Sequence, residues 1–184
     1  MPQCSRFHPN GSCSKYHQNI RAPPGRLDPT EDSQVFPHTH IDDFKPGEVY
    51  EYGAHEVTQA DIIAYAEQFD PQPFHTDPDA AKGSFYGGLI AAGLHTASIF
   101  MRLLIDAFPH VDSKGSPGWD EVRWIAPVRP GDVLSVRTDI EAVRHSRSRP
   151  ELGILTARHV VSTQHATPVF SVLNYWFVGR RDQV

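Results

Sequence analysis

One stretch, GGLIAAGLHTASIFMRLLIDAF at residues 87–108, restricts the fold more than any other. Read as a helix, it places Leu89, Ile90, Leu94, Ile99, Phe100, Met101, Leu103, Leu104, Ile105 and Phe108 around nearly the whole circumference. A helix that is apolar all round is expected to be buried all round. His95, Thr96, Ser98 and Arg102 interrupt the stretch, and a membrane span needs ~20 predominantly apolar residues. A buried helix of this kind calls for a shell of sheet around it.

The C-terminal half has the composition of such a shell. DEVRWIAPV (120–128), DVLSVRTDIEAVRHS (132–146), LGILTARHVVSTQ (152–164) and PVFSVLNYWFVGR (168–180) are β-rich runs. They are separated by turn signals at Arg129-Pro130-Gly131-Asp132, Ser148-Arg149-Pro150 and HATP (165–168). In the second run Leu134, Val136 and Ile140 alternate with Arg137, Asp139 and Glu141, the period of a strand with one buried face. Short connections between long strands imply antiparallel neighbours.

Ahead of the apolar stretch, Lys45-Pro46-Gly47 is turn chemistry and Val49 to Val57 reads as a strand. Thr58 followed by Asp61 is an acidic variant of the capping box, which starts a helix with Ile62, Ile63, Ala66 and Phe69 on its apolar face. The expected architecture is α+β: a strand, a helical insertion ending in one central helix, and an antiparallel sheet wrapped round that helix.

Residues 1–42 differ from the rest. They are rich in Pro, Ser, Asn, His and Gln and have no helical or strand period, so they are expected to form a disordered leader, with a single domain over 43–184. A chain beginning near Asp43 is then expected to fold and keep its activity. CSRFH (4–8) and CSKYH (13–17) are near-repeats. Two cysteines and two histidines suffice for tetrahedral zinc, but there is no local core around them and no metal is expected. The formal charge of −5 leaves no overall basic excess to attract nucleic acid or acidic membrane. Two cysteines cannot staple a domain of this length, no apolar signal segment opens the chain, and a reducing cytoplasm is the expected setting.

The chemistry concentrates in AEQFDPQPFHTDPDAA, residues 66–81. Pro71 and Pro73 exclude a continuous helix between Asp70 and His75. A carboxylate and an imidazole then stand at the two ends of a stiff loop, held apart so that one water fits between them. Asp77 before Pro78 is a helix N-cap in sequence.

FDPQPFHTDPDAA, the following GGLIAAGLHT and the later APVRPGD together resemble the MaoC-like acyl dehydratases, hot-dog-fold proteins related to (R)-specific enoyl-CoA hydratases. The resemblance spans roughly residues 43–180. It implies a hot-dog homodimer or an assembly of dimers, acyl-CoA or acyl-carrier thioester substrates, and no metal or redox cofactor. Asp70 and His75 match the family's catalytic dyad, with Pro71, Gln72 and Pro73 supporting the loop. Gly93 matches the glycine whose backbone N–H holds the thioester oxygen. Tyr86, Leu94 and His95 are candidates to line the acyl pocket. Gln72 stands where the hydratase signature usually has Asn, and Ala92 where His commonly precedes the glycine.

Hydration of a conjugated thioester requires a water that loses a proton, an α-carbon that gains one, and a donor for the oxygen on which charge develops. A carboxylate with an imidazole serves the proton transfers. A helix N-terminus with a glycine serves the oxygen. The bland alternatives are a helix-ending Asp70, a structurally satisfied His75 or His95, and a solvated hairpin end at RHSRSR (144–149), which otherwise would meet CoA phosphates. Two functional rivals stand beside the hydratase. A thioesterase on the same fold would favour an acidic residue on the central helix, which carries Asp106 only at its far end. A non-catalytic acyl-binding subunit would have lost Asp70 or His75.

Overall fold

Five antiparallel strands form one sheet in a computed structural model that describes residues 34–181. The strands are β1 (Val49–Glu56), β2 (Ser113–Trp124), β3 (Val133–His145), β4 (Leu152–Thr163) and β5 (Pro168–Gly179). Their order across the sheet is β1-β3-β4-β5-β2. Between β1 and β2 the chain forms α1 (Gln59–Phe69), the single turns α2 (Pro73–Thr76) and α3 (Pro78–Lys82), and the central helix α4 (Gly93–Ala107). This is the expected α+β arrangement. The Cys4, His8, Cys13 and His17 pattern lies outside the described residues.

Local sequence explains most of the boundaries. The Thr58 hydroxyl accepts from the Asp61 N–H and caps α1, and Pro71 prevents α1 from passing Asp70. Asp77 caps α3 by accepting from the N–H groups of Asp79 and Ala80. Along β3, Leu134, Val136 and Ile140 are buried while Arg137 and Glu141 face solvent. Phe100, Leu104, Val136, Leu155 and Phe170 belong to one continuous core between α4 and the sheet.

Three expectations need correction. The central helix starts at Gly93, not near residue 87. Gly87 and Gly88 have positive φ, and the N–H groups of Ile90 and Ala91 bond to the carbonyls of Phe74 and Val128, so this segment is stitched across the fold rather than wound into α4. The helix is also not buried all round. Leu94 is 62% exposed and Ile105 is 46% exposed, because the sheet covers one side of α4 only. The run expected at 120–128 is part of a strand that begins at Ser113. Pro117 is accommodated because β2 is an edge strand with three register shifts against β5, and edges and bulges tolerate proline.

The domain also begins before residue 43. Ile41 is fully buried and fills the space above Gly153 in β4, where a methyl group on the glycine would overlap it. Phe36 stacks on Phe108 at 5.0 Å between centroids, and its N–H bonds to the Ala107 carbonyl at 2.8 Å. Composition misjudged these residues because their apolar members are too sparse to show a period, yet each lands in a pocket made by distant elements. Removal of residues 34–42 is therefore expected to destabilise the fold. Ile41→Ala should cost about 2–4 kcal/mol, the usual range for emptying a closed aliphatic site, measured by urea unfolding.

Candidate active site

Asp70 and His75 come together at the end of α1. Asp70 is the C-terminal cap of α1, its N–H bonded to the Ala66 carbonyl at 2.9 Å. Three residues later Pro73 opens α2 as its first residue, a position where proline's missing N–H costs nothing. That single turn carries His75 back towards Asp70, and His75 Nε2 lies 3.5 Å from Asp70 Oδ2. The prolines thus do not hold the pair apart with a water in line between them. They bring the two groups side by side.

The hydrogen bonds around the dyad assign its protons. His75 is buried, and its Nδ1 lies 2.8 Å from the carbonyl oxygen of Ile90. A carbonyl oxygen only accepts, so Nδ1 carries the hydrogen. In the neutral ring Nε2 then presents a lone pair towards Asp70. The Asp70 carboxylate, half-buried, accepts at Oδ1 from Gln72 Nε2 at 2.8 Å. Oδ2 and a lone pair on Nε2, 3.5 Å apart, are spaced to accept the two O–H groups of one water.

Gly93 begins α4 on the segment tied to this loop. The preceding Ala92 offers no side-chain cap. The first N–H of this helix to bond backwards is that of Thr96, to the Ala92 carbonyl at 3.2 Å. Among the described residues, the N–H groups of Gly93, Leu94 and His95 have no acceptor. An uncapped helix start favours an oxygen bearing negative charge. The position is also crowded by a side chain from across the fold. A methyl group on Gly93 would lie 2.6 Å from Nε1 of Trp124, a residue the sequence did not single out.

The other candidates are dispersed. The Leu94 side chain points to solvent at 62% exposure. Tyr86 sits on the loop before α4 with its ring 5.3 Å from that of Phe74, and its carbonyl accepts from Arg129 Nη2. His95 is buried and stacked on Tyr65 of α1 at 4.6 Å and 10°, pinning the last turn of α1 to the first turn of α4. Burial pushes the His95 ring down to about 4, against the pull of Asp61 and with a further push from His55. Its ring packs against Tyr65. No group of three or more His, Cys, Asp or Glu among the described residues is placed to hold a metal ion. No helix among them is long and apolar enough to cross a membrane.

Comparison with known proteins places the chain in a family. The family model described as MaoC like domain matches residues 43–162. The chain belongs to the MaoC-like dehydratase family. Within that family it is 33% identical over 131 residues to the uncharacterized protein YdeM of Bacillus subtilis, covering 71% of this chain and 92% of that one. The crystal structure of the MaoC-like dehydratase from Rhodospirillum rubrum superposes with a TM-score of 0.71 at 37% identity, over 79% of this chain and all of that one. The 3-hydroxybutyryl-CoA dehydratase of Methylorubrum extorquens is 28% identical over 103 residues, 53% of this chain and 62% of that protein. The MaoC-like sheet and helix are hot-dog in architecture.

Proposed function

We propose that this MaoC-like protein interconverts trans-2-enoyl and (R)-3-hydroxyacyl thioesters, carried on CoA or an acyl carrier, by adding or removing one water. The observation that carries this is the pair of facing acceptors, Asp70 Oδ2 and His75 Nε2, at 3.5 Å. In the hydration direction the shared water gives a proton to the dyad as its oxygen bonds to the β-carbon. The electrons of the double bond move to the thioester oxygen, which rests on the free N–H groups at Gly93. Return of a proton to the α-carbon restores the carbonyl and completes the addition of H and OH. No electrons are lost, so the reaction needs no redox partner.

Asp70 is the base that this arrangement favours, since Gln72 holds one oxygen and leaves Oδ2 towards the water. The Ile90 carbonyl keeps His75 in the tautomer that shares the same water. Aimed N–H donors at an oxyanion are typically worth about 3 kcal/mol each. The thioesterase alternative gains no support from the central helix, where Asp106 is paired to Arg102 at 2.6 Å. The test is spectrophotometric: loss of the conjugated enoyl absorbance on adding enzyme to trans-2-enoyl-CoA, with the (R)-alcohol as product. Unchanged absorbance across short, long and branched enoyl thioesters would refute the reading.

The cytoplasmic setting and a two-fold assembly belong to the same proposal. Among the described residues the outer edge of β2 is unpaired, and open edges are normally paired or covered. Leu94 and Ile105 are exposed on α4. A groove of about 110 Å³ is lined by Ile105 together with residues that include Met101, Leu104, Trp119 and Trp176. A second copy laid against this face covers both the edge and the helix, in keeping with the preference of homo-oligomers for two-fold symmetry. Light scattering at micromolar concentration is expected to give twice the chain mass; a stable, active single chain would refute the assembly.

A further inference from the structure

The uncapped start of α4 has an aromatic wall. A methyl group on Gly93 would stand 2.6 Å from Nε1, 2.8 Å from Cε2 and 3.1 Å from Cδ1 of Trp124. The pyrrole edge of the indole therefore lies against the Gly93 Cα, beside the N–H groups proposed to hold the thioester oxygen. Trp124 is the last residue of β2, and the next residue is anchored by a bond from the Ile125 N–H to the Val169 carbonyl at 2.8 Å.

The indole is 53% exposed, and on its core side its ring is 6.1 Å from that of Phe170. Phe170 is in turn 5.8 Å from Phe100 and 6.4 Å from Trp119. Phe170 and Phe100 are both fully buried. Interiors packed in this way do not yield the volume of several methylenes without cost. On its core side, the indole beside Gly93 is backed by this buried aromatic cluster.

Building on the hydratase reading, we infer that Trp124 is the specificity-determining wall of the acyl site and restricts the substrate to short acyl groups. Its half-exposed position at a strand end lets the side chain be cut back without emptying the core, since Phe170 and Phe100 stay in place.

The experiment compares kcat/KM for four-carbon crotonyl-CoA and eight-carbon trans-2-octenoyl-CoA in the wild type, Trp124→Phe and Trp124→Ala. It also measures the binding of saturated butyryl-CoA and octanoyl-CoA to the same proteins by calorimetry. The wild type is expected to favour the four-carbon substrate. Trp124→Ala is expected to move the ratio towards the eight-carbon substrate by at least about tenfold, the scale on which a pocket senses added methylenes, with Trp124→Phe between them. Binding of the saturated thioesters should shift in the same sense. A wild type that prefers octenoyl-CoA, or a ratio unchanged in Trp124→Ala, overturns the inference while leaving the hydratase reading intact. If no enoyl thioester is hydrated, that reading fails, and the binding series alone decides: a butyryl preference relaxed in Trp124→Ala upholds the wall, and an unchanged preference overturns it.

Discussion

Asp70→Asn or His75→Ala lowers the turnover of an enoyl thioester by roughly 10²–10⁴, the usual contribution of a positioned acid–base group, with the fold intact. The two substitutions act on one water from opposite sides. Asp70→Asn replaces an acceptor with a group that can turn its NH2 towards the water, so proton removal fails while shape is conserved. His75→Ala removes the Nε2 acceptor and also frees the Ile90 carbonyl that Nδ1 occupies at 2.8 Å, which loosens the segment leading to Gly93. The histidine variant is therefore expected to raise KM as well, and the aspartate variant to act on kcat. Because the pair shares one water, the double variant should be little worse than the poorer single variant. Activity within a few-fold of wild type in either single variant, with circular dichroism unchanged, would remove the dyad assignment.

Acidification from pH 7.5 to 5 is expected to cost about 4 kcal/mol of folding stability, through two histidines outside the dyad. His159 is 1% exposed in the centre of β4. Burial pushes its ring down to about 3, against the opposing pull of Asp139. His95 is pushed down to about 4. In the unfolded chain both titrate near the ordinary histidine value of 6.5. Between that value and each folded value the unfolded chain binds protons that the folded chain refuses. Stability is thus complete above pH 6.5 and falls as the pH drops towards 4 and 3. At pH 5 each ring accounts for about 2 kcal/mol. His55, also lowered by burial, acts in the same direction. Whole domains have stabilities of only about 5–15 kcal/mol, so the loss is visible as a falling urea midpoint between pH 7.5 and 5.

His159 also explains why its own replacement is informative. Its Nδ1 lies 2.8 Å from the Thr138 hydroxyl, which lies 2.8 Å from the Tyr52 hydroxyl. This buried chain ties β4, β3 and β1 together. Among the described residues the Nε2 on the other side has no partner, and the imidazole is 4.8 Å from the ring of Phe100 between centroids. His159→Leu should reduce the pH slope by about one proton, though it lowers stability at neutral pH by leaving Thr138 short of a partner. A midpoint that stays level down to pH 5 in the wild type would show that the rings are protonated in the folded protein.

Much of the architecture was legible because its signals are local. A proline after Asp70, a Thr-to-Asp cap at residue 58 and strict alternation along β3 each act within a few residues, so the chain itself declares where helices stop and which strand face is buried. The dyad was legible for the same reason: two chemistry-bearing residues with two prolines between them form a short, stiff segment whatever surrounds it. The family resemblance then singled out Gly93, while its place as the first residue of the central helix came from the structure.

Tertiary structure decided the features that depend on what lies across the fold. Whether Ile41 is leader or core depends on Gly153, more than a hundred positions away, leaving a gap above β4. Whether Leu94 and Ile105 are buried depends on where the sheet ends, and an apolar period cannot tell a face covered by sheet from one left for another surface. The separation of Asp70 and His75 follows from a single helical turn admitted because Pro73 occupies its first position. Trp124 touches Gly93 only because β2 runs along the sheet edge to the head of α4. Sequence period reports the demand of each segment for burial; which partner meets that demand is set by contacts between residues far apart in the chain, and those exist only in the folded state.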